Sequence, residues 1–406
     1  MNGCAPPNLM TTTGDTGVSR HGDALEGCRI LFGISGGIAA TEAVRLGREL
    51  RRHGGELTVI MTPAACKVIT PLAVGWACRC DVLTDWKPEM SHLDQFDAVL
   101  VSPLSRNLLA RFANGMMDHP LLMAMSAARG RGNPILLVPS MHNDLFDDPI
   151  TPSLLSSVSS DKVRCMVGPD DEGRRKQPEP VDIVAELCNF VNSNLPNRKR
   201  VAITLGANRA PIDAVRAIQN ASSGATGWTI SEHLHRMGHQ VICIAGKTSA
   251  APAFRLPDVR RAGSPDHMLE VSLGVAKEDK PECWIHAAAV LDYYTEAERG
   301  KKASGADSWE LSLKPGPKHI RELAAFVDGA IRIGFKLETG IKVSELHERA
   351  HAQIAEYGVD AVVANLMEQV RDSSTARAHI VHSDGSVQVV DDESEMCKAI
   401  DSIITG

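Results

Sequence analysis

The sequence predicts an α/β protein built from two Rossmann-like doubly wound parallel-sheet domains in tandem. Three observations carry this reading. Short apolar runs alternate with amphipathic segments along most of the chain. The first apolar run ends in a glycine-rich turn, SGGIAA, that leads into helical spacing. The alternation breaks once, at a polar Pro- and Asn-containing stretch, and then restarts.

Residues 1–28 are rich in Gly, Thr, Pro and Asn and lack a continuous apolar stretch, so they read as a flexible leader rather than a secretory signal. Arg29–Ile34 (RILFGI) is the first strand, and SGGIAATEAVRLGRELRRHG is a glycine turn followed by a helix. Glu56–Met61 (ELTVIM), residues 97–102 (DAVLVS) and residues 134–139 (PILLVP) are further strands. RNLLARFANGMMDHPLLMAMSAARG carries helical spacing between the last two. These segments form a first domain over residues 29–190, and 191–199 is the linker. In the second domain, 200–406, strands are expected at Arg200–Leu205, Gln240–Ala245, 283–288, 330–335 and 360–364, with a helix after the turn at 220–227.

Bulk properties bound the function. A chain of 406 residues exceeds one ordinary core, and 43% hydrophobic residues exclude a disordered protein. Only 4% are aromatic, the net charge is −7 and no long basic block is present, which argues against nucleic-acid binding. No run is long and apolar enough for a membrane span. Ten cysteines are scattered without a CxxC pair, the closest being Cys78 and Cys80, which fits a reduced, cytoplasmic setting.

Several motifs carry chemistry. Ser35, Gly36 and Gly37 sit where a backbone approaches phosphate at a helix start, although such turns also serve plain connections. His92 precedes the DAVLVS strand in a polar loop, where a lone histidine is commonly structural. Ser105, Arg106 and Asn107 follow that strand, and Ser140, Met141, His142 and Asn143 follow PILLVP, both at the sheet edge where open α/β folds bind ligands. The densest cluster is GANRAPIDAVRAIQNASSG, Gly206 to Gly224. Gly206 lets the strand turn, Ser222, Ser223 and Gly224 can donate to phosphate, and Asn220 can orient a carbonyl. Asp213 and Arg216 pair with each other on this reading. Ala288 to Asp292, the Lys301–Lys302 loop and the Gly334–Phe335 turn suit a nucleotide with Mg²⁺. HERAH, His347 to His351, matches HExxH formally, but its charged surroundings read as a solvated surface helix.

Together these segments resemble the bifunctional coenzyme A biosynthesis family, a phosphopantothenoylcysteine decarboxylase fused to a phosphopantothenate–cysteine ligase, over about residues 29–404. The resemblance implies FMN at Ser35, Gly36, Gly37, Thr62, Ser105, Asn107 and Ser140, with His92 catalytic. In that chemistry the flavin oxidises the substrate thiol, CO₂ leaves, and the reduced flavin returns the electrons. For the ligase half it implies a carboxylate of 4′-phosphopantothenate attacking the α-phosphate of CTP or ATP, and then cysteine attacking the acyl-nucleotidylate. Asn220 and Lys301 match its catalytic positions, the latter with a one-residue gap that otherwise puts Arg299 first. Ser222, Ser223, Gly224, Ala288, Asp292, Lys301 and Phe335 fall at nucleotide positions. A homo-oligomer is also implied.

Three departures stand out. His142 replaces the Asn expected to hold the substrate carboxylate, with Asn143 beside it. Val167 stands where a proton-donating Cys belongs, and Cys165 lies two residues away on the same face if this segment is a strand. Gln353 and Tyr357 replace two lysines of the CTP-using pattern, which leans the expectation towards ATP. Two alternatives follow: a ligase whose FMN-binding half is only an oligomerisation scaffold, and a non-enzymatic flavin-binding regulator.

Overall fold

The computed structural model describes residues 14–303, 308–371 and 375–406. The chain divides into two compact units, Met1–Asn192 and Ser193–Gly406.

In the first unit the strands are β1 (Arg29–Ile34), β2 (Glu56–Met61), β3 (Val82–Leu83), β4 (Ala98–Leu104), β5 (Ile135–Pro139) and β6 (Val163–Cys165). They form one sheet in the order β3-β2-β1-β4-β5-β6, and the named pairs are all parallel. β1, β4 and β5 are buried almost throughout, as parallel strands covered on both faces must be. The helices are α1 (Ala43–Arg52), α2 (Pro71–Cys78), α3 (Arg106–Ala113), α4 (Pro120–Arg131), α5 (Ile150–Val158) and α6 (Pro180–Asn192). Their starts follow local rules. Thr70 caps α2 ahead of Pro71, Ser105 caps α3, and the His119 ring accepts the Leu121 N–H ahead of Pro120.

The leader expectation is corrected for residues 14–28; residues 1–13 lie outside the described residues. Leu25 is fully buried and its N–H bonds the His53 carbonyl at 2.8 Å. Asp15 accepts from Arg51 through its own carbonyl, and Asn192 donates to the Ala24 carbonyl. Two buried apolar side chains, Ala24 and Leu25, and these hydrogen bonds to its backbone hold a polar segment in place.

The second unit repeats the plan. β7 (Arg200–Leu205), β8 (Gln240–Ala245), β9 (Asp258–Arg261), β10 (Cys283–His286), β11 (Ile331–Glu338) and β12 (Ala361–Leu366) are parallel, and β13 (Ala378–His382) and β14 (Val387–Val390) add an antiparallel edge. The order is β9-β8-β7-β10-β11-β12-β13-β14, so this sheet is mixed. The helices used below are α7 (Ala225–Arg236), α8 (Pro265–Glu278) and α9 (Val343–Tyr357). In both units the strand order reverses beside the first strand, at β1/β4 and at β7/β10. The crevice beyond those strand ends is the ligand-binding position of doubly wound sheets.

Candidate functional site

At the β1/β4 crevice, Ser35 closes the glycine turn onto the neighbouring strand. Its hydroxyl donates to the Pro103 carbonyl at 2.8 Å and accepts the Ser105 N–H at 2.7 Å. That hydroxyl is committed to the protein, so Ser35 acts here as a clip. Gly36 packs so closely on Ala64 that a side chain would overlap it, whereas a side chain at Gly37 would meet no atom within 4 Å. Thr62 accepts the Ala65 N–H and its own N–H bonds the Ile34 carbonyl, which ties β2 to β1 at this edge. Ser105 opens α3 with exposed Asn107 in its first turn, and the Ser140 N–H bonds the Leu104 carbonyl. The turns carrying Ser35, Ser105 and Ser140 are thus laced together, with Gly37 facing open space.

His92 is fully buried. Its Nε2 lies 3.4 Å from Met123 Sδ on α4, and the Trp86 ring meets it edge-on at 5.1 Å. Its Nδ1 is buried with no partner among the described residues. Burial lowers its pKa against the pull of Asp94, so the ring is neutral near pH 7.

The two segments that depart from the family pattern are joined. Met141–His142 pairs with Arg174–Arg175, which pairs with Asp170–Asp171, in a small antiparallel sheet. His142 is exposed, and the Asn143 amide donates to both Asp170 carboxylate oxygens at 2.9 Å. The expectation that Cys165 shares a strand face with Val167 is corrected. β6 ends at Cys165, so the two-residue period stops there. Cys165 packs against the core with its thiol accepting from Ser159, and Val167 is exposed. Burial pushes the Cys165 thiol up, against the Ser159 hydrogen bond.

In the second unit, Gly206 and Gly224 both adopt left-handed backbone, with φ of 78° and 80°. A Cβ on either would press on Thr248 Cγ2, at 2.7 and 2.5 Å, so only glycine lets the two turns meet there. Ser222 and Ser223 accept the N–H groups of Gly224 and Ala225 at the start of α7. Asn220 donates from Nδ2 to the carbonyls of Ala289 (2.9 Å) and Val290 (3.2 Å), which fixes it at the β7/β10 crevice.

Asp213 and Arg216 do pair, at 2.7 Å, but Asp213 does more. Its buried carboxylate also accepts the N–H groups of Val215, Arg216 and Lys302. The Val215 N–H first, then those of Arg216 and Lys302 with the Arg216 charge, outweigh burial and hold its pKa at about 2. The lysine loop is thereby clamped to the hairpin of Arg209–Pro211 and Ala217–Gln219. Lys302 lies over Trp309 at 4.9 Å, while Lys301 is exposed.

Beside Asn220, a cavity of about 380 Å³ brings together Ala288, Asp292 and Phe335 with Gln353 and Tyr357. Ser222, Ser223, Gly224 and Lys301 are not among its lining residues. The Gln353 amide bonds the Phe335 carbonyl and leans over Gly334, where a Cβ would sit 2.7 Å from it. Sequence reasoning missed Lys318 and Arg349 at the cavity and His286 and His319 within it, and gave Lys336, which follows the Gly334–Phe335 turn in the same nucleotide-suited segment, no role of its own. Lys318 pairs with Asp292 at 2.6 Å. Only the position of His286 just before AAAVLD was a readable signal. The HExxH helix is corrected from a wholly solvated one. Leu346 and Ala350 are buried, and His347 Nε2 lies 3.2 Å from His379 Nδ1 on β13. Among the described residues, no group of three or more His, Cys, Asp or Glu is placed to hold a metal ion, and no helix is long and apolar enough to cross a membrane.

Comparison with known proteins agrees with this layout. Residues 18–192 match the Flavoprotein family, and residues 197–404 match the DNA/pantothenate metabolism flavoprotein C-terminal domain. The chain is 32% identical over 351 residues to the coenzyme A biosynthesis bifunctional protein CoaBC of Thermococcus kodakarensis, covering 85% of this chain and 86% of that protein. It is 29% identical over 355 residues to the protein of the same name from Bacillus subtilis, covering 83% and 85%. Among solved structures, the DNA/pantothenate metabolism flavoprotein from Streptococcus pneumoniae aligns with a TM-score of 0.46 at 23% identity, over 51% of this chain and 98% of that one. Two tandem Rossmann-like units, one of flavoprotein type and one with a ligase-type crevice, define a two-domain enzyme. The chain belongs to the family of bifunctional coenzyme A biosynthesis proteins, with a decarboxylase half followed by a ligase half.

Proposed function

We propose that the second unit joins 4′-phosphopantothenate to cysteine at the β7/β10 crevice, and that the first unit decarboxylates the product with FMN at the β1/β4 crevice. The observation that carries the ligase assignment is the meeting of Ala288, Asp292 and Phe335 in one cavity, beside Asn220 bonded to the Ala289 and Val290 carbonyls. The nucleotide occupies that cavity, with Lys318, Lys336 and Arg349 facing its phosphates and a divalent cation such as Mg²⁺ accompanying them. The substrate carboxylate attacks the α-phosphate and expels pyrophosphate. The cysteine amine then attacks the acyl carbon and expels the nucleoside monophosphate. Both Asn220 Nδ2 bonds go to the protein, so Asn220 offers the reactants its carbonyl oxygen, an acceptor for the cysteine amine. Lys301 enters from the clamped loop to meet phosphate charge.

The first crevice fits FMN on three counts: the open space at Gly37, the N-terminus of α3 with Ser105 and Asn107, and the laced turns at Thr62 and Ser140. When bound, the flavin supplies two-electron redox chemistry. His92, neutral and with an unpartnered Nδ1, takes the proton released by the substrate. His142 and Asn143 hold the substrate carboxylate, which requires Asn143 to exchange its Asp170 contact. The protein works as a homo-oligomer in the cytoplasm. The test supplies 4′-phosphopantothenate, cysteine, Mg²⁺ and either CTP or ATP and follows products by mass. Amide formed with one nucleotide only names the co-substrate, and no amide with either removes the ligase assignment.

A further inference from the structure

The ligase cavity is graded in charge and depth. Near its mouth stand three cations whose side chains remain substantially exposed: Lys318 at 45%, Lys336 at 35% and Arg349 at 43%. Lys318 pairs with Asp292, Lys336 with Glu338, and Arg349 with Glu338 and Glu345, so phosphate would have to compete with these carboxylates. Deeper, His319 is only 5% exposed, and its buried ring nitrogens make no hydrogen bond of good geometry among the described residues, with the Pro265 carbonyl close to the ring. His286 Nε2 is likewise buried and unpartnered, with its ring stacked on Trp284 at 6.2 Å and 18°. Leaving a buried polar atom unmet is costly, and both histidines line this one cavity.

We propose that His286 and His319 read the base of the nucleoside triphosphate in this cavity, while the cationic mouth holds its phosphates. The inference rests on the reading of this cavity as the nucleotide site and adds to it the specificity-determining pair. A triphosphate is anionic and hydrated, so it belongs at the exposed lysines and arginine. A base is a neutral heteroaromatic ring with both N–H donors and ring-nitrogen acceptors, so it belongs with buried neutral imidazoles and the Phe335 ring. Neutral imidazole presents one donor and one acceptor, which is what such an edge needs. Burial first, helped by Arg332, holds His286 at about 3. Burial holds His319 at about 4, with Asp266 and the Pro265 carbonyl pulling the other way. A pocket built to hydrogen-bond its ligand rejects one that leaves those groups unmet.

The test is calorimetric titration of the full chain in Mg²⁺ with ATP, with CTP and with inorganic tripolyphosphate, which has the phosphates and no base. His286→Ala and His319→Phe should each weaken the preferred nucleotide at least tenfold and leave tripolyphosphate within twofold. Nucleotide affinity that does not change overturns the proposal, as does an equal loss for tripolyphosphate. If either variant fails to fold, hydrogen–deuterium exchange at the imidazole C2 carbons of the wild-type chain decides. Nucleotide should slow it at His286 and His319 while tripolyphosphate does not, and no difference between the two overturns the proposal. Asp292→Asn and Phe335→Ala separate the two levels. If these leave nucleotide binding intact, the cavity is not the nucleotide site. If these weaken it and the histidine variants do not, only the base-reading role falls.

Discussion

The Asp213 carboxylate accepts the backbone N–H of Lys302 at 3.2 Å, joining the Gly206–Gly224 segment to the lysine loop across 89 residues of chain. The Ala214 N–H bonds the Gly300 carbonyl and the Glu298 N–H bonds that of Ile212, so the junction is a short run of bonds rather than one contact. Asp213 thus holds the loop that carries Lys301, and on the proposed ligase reading its role is to position that loop. Asp213→Ala should lower ligase kcat by roughly 10- to 100-fold through loss of loop placement. It should also speed tryptic cleavage after Arg299, Lys301 or Lys302. Unchanged kcat and unchanged cleavage would mean the clamp does not position the loop.

Asn220→Asp places a carboxylate oxygen where an amide now donates to two carbonyls. Repulsion from the Ala289 and Val290 carbonyls should displace the side chain. Amide formation should fall by about 10²–10³-fold while pyrophosphate release persists. The two products are measured separately in one reaction. An unaffected ligase removes Asn220 from the site.

His92→Asn removes the neutral ring held between Trp86 and Met123. CO₂ release from phosphopantothenoylcysteine should drop by about 10²–10⁴-fold, with ligation unchanged. Loss of both activities would show that the halves are not independent.

The buried histidines of the ligase half make an acid-stability prediction. His286 and His319 lie near 3 and 4 in the folded chain, below the ordinary 6.5. A depressed histidine pKa means the unfolded chain binds more protons in that window, so stability is fully present above about pH 6.5 and falls as pH drops towards 4. Calorimetric melting of the second unit should be flat above pH 7 and decline below 6.5, and the slope should shrink in His286→Ala. A slope unaffected by that variant would assign the acid lability elsewhere.

Much of the fold is legible because parallel strands are short apolar runs bounded by turn residues. Arg29–Ile34, Glu56–Met61, Arg200–Leu205 and Gln240–Ala245 keep their expected bounds. Val82–Leu83 is too short to stand out, and Val387–Val390 is exposed at three of its four positions, so neither reads as a core strand. The glycines at 206 and 224 were legible as turns, but their shared contact with Thr248 was not. Asn220, Ala288, Asp292 and Phe335 could be picked out by motif. The clamp from Asp213 could not, since its partner is 89 residues away. His286 had only its place before AAAVLD to mark it, and His319 nothing, because burial without a partner is a tertiary property.

The departures at His142 and Val167 make the full two-step conversion the most direct test. Purified protein would be incubated with 4′-phosphopantothenate, cysteine, Mg²⁺ and CTP or ATP, and products identified by mass. Accumulation of 4′-phosphopantetheine is the predicted result and means both crevices work despite those substitutions. A reaction that stops at phosphopantothenoylcysteine, or at an oxidised enethiol, would contradict it and leave a ligase with an altered flavin half.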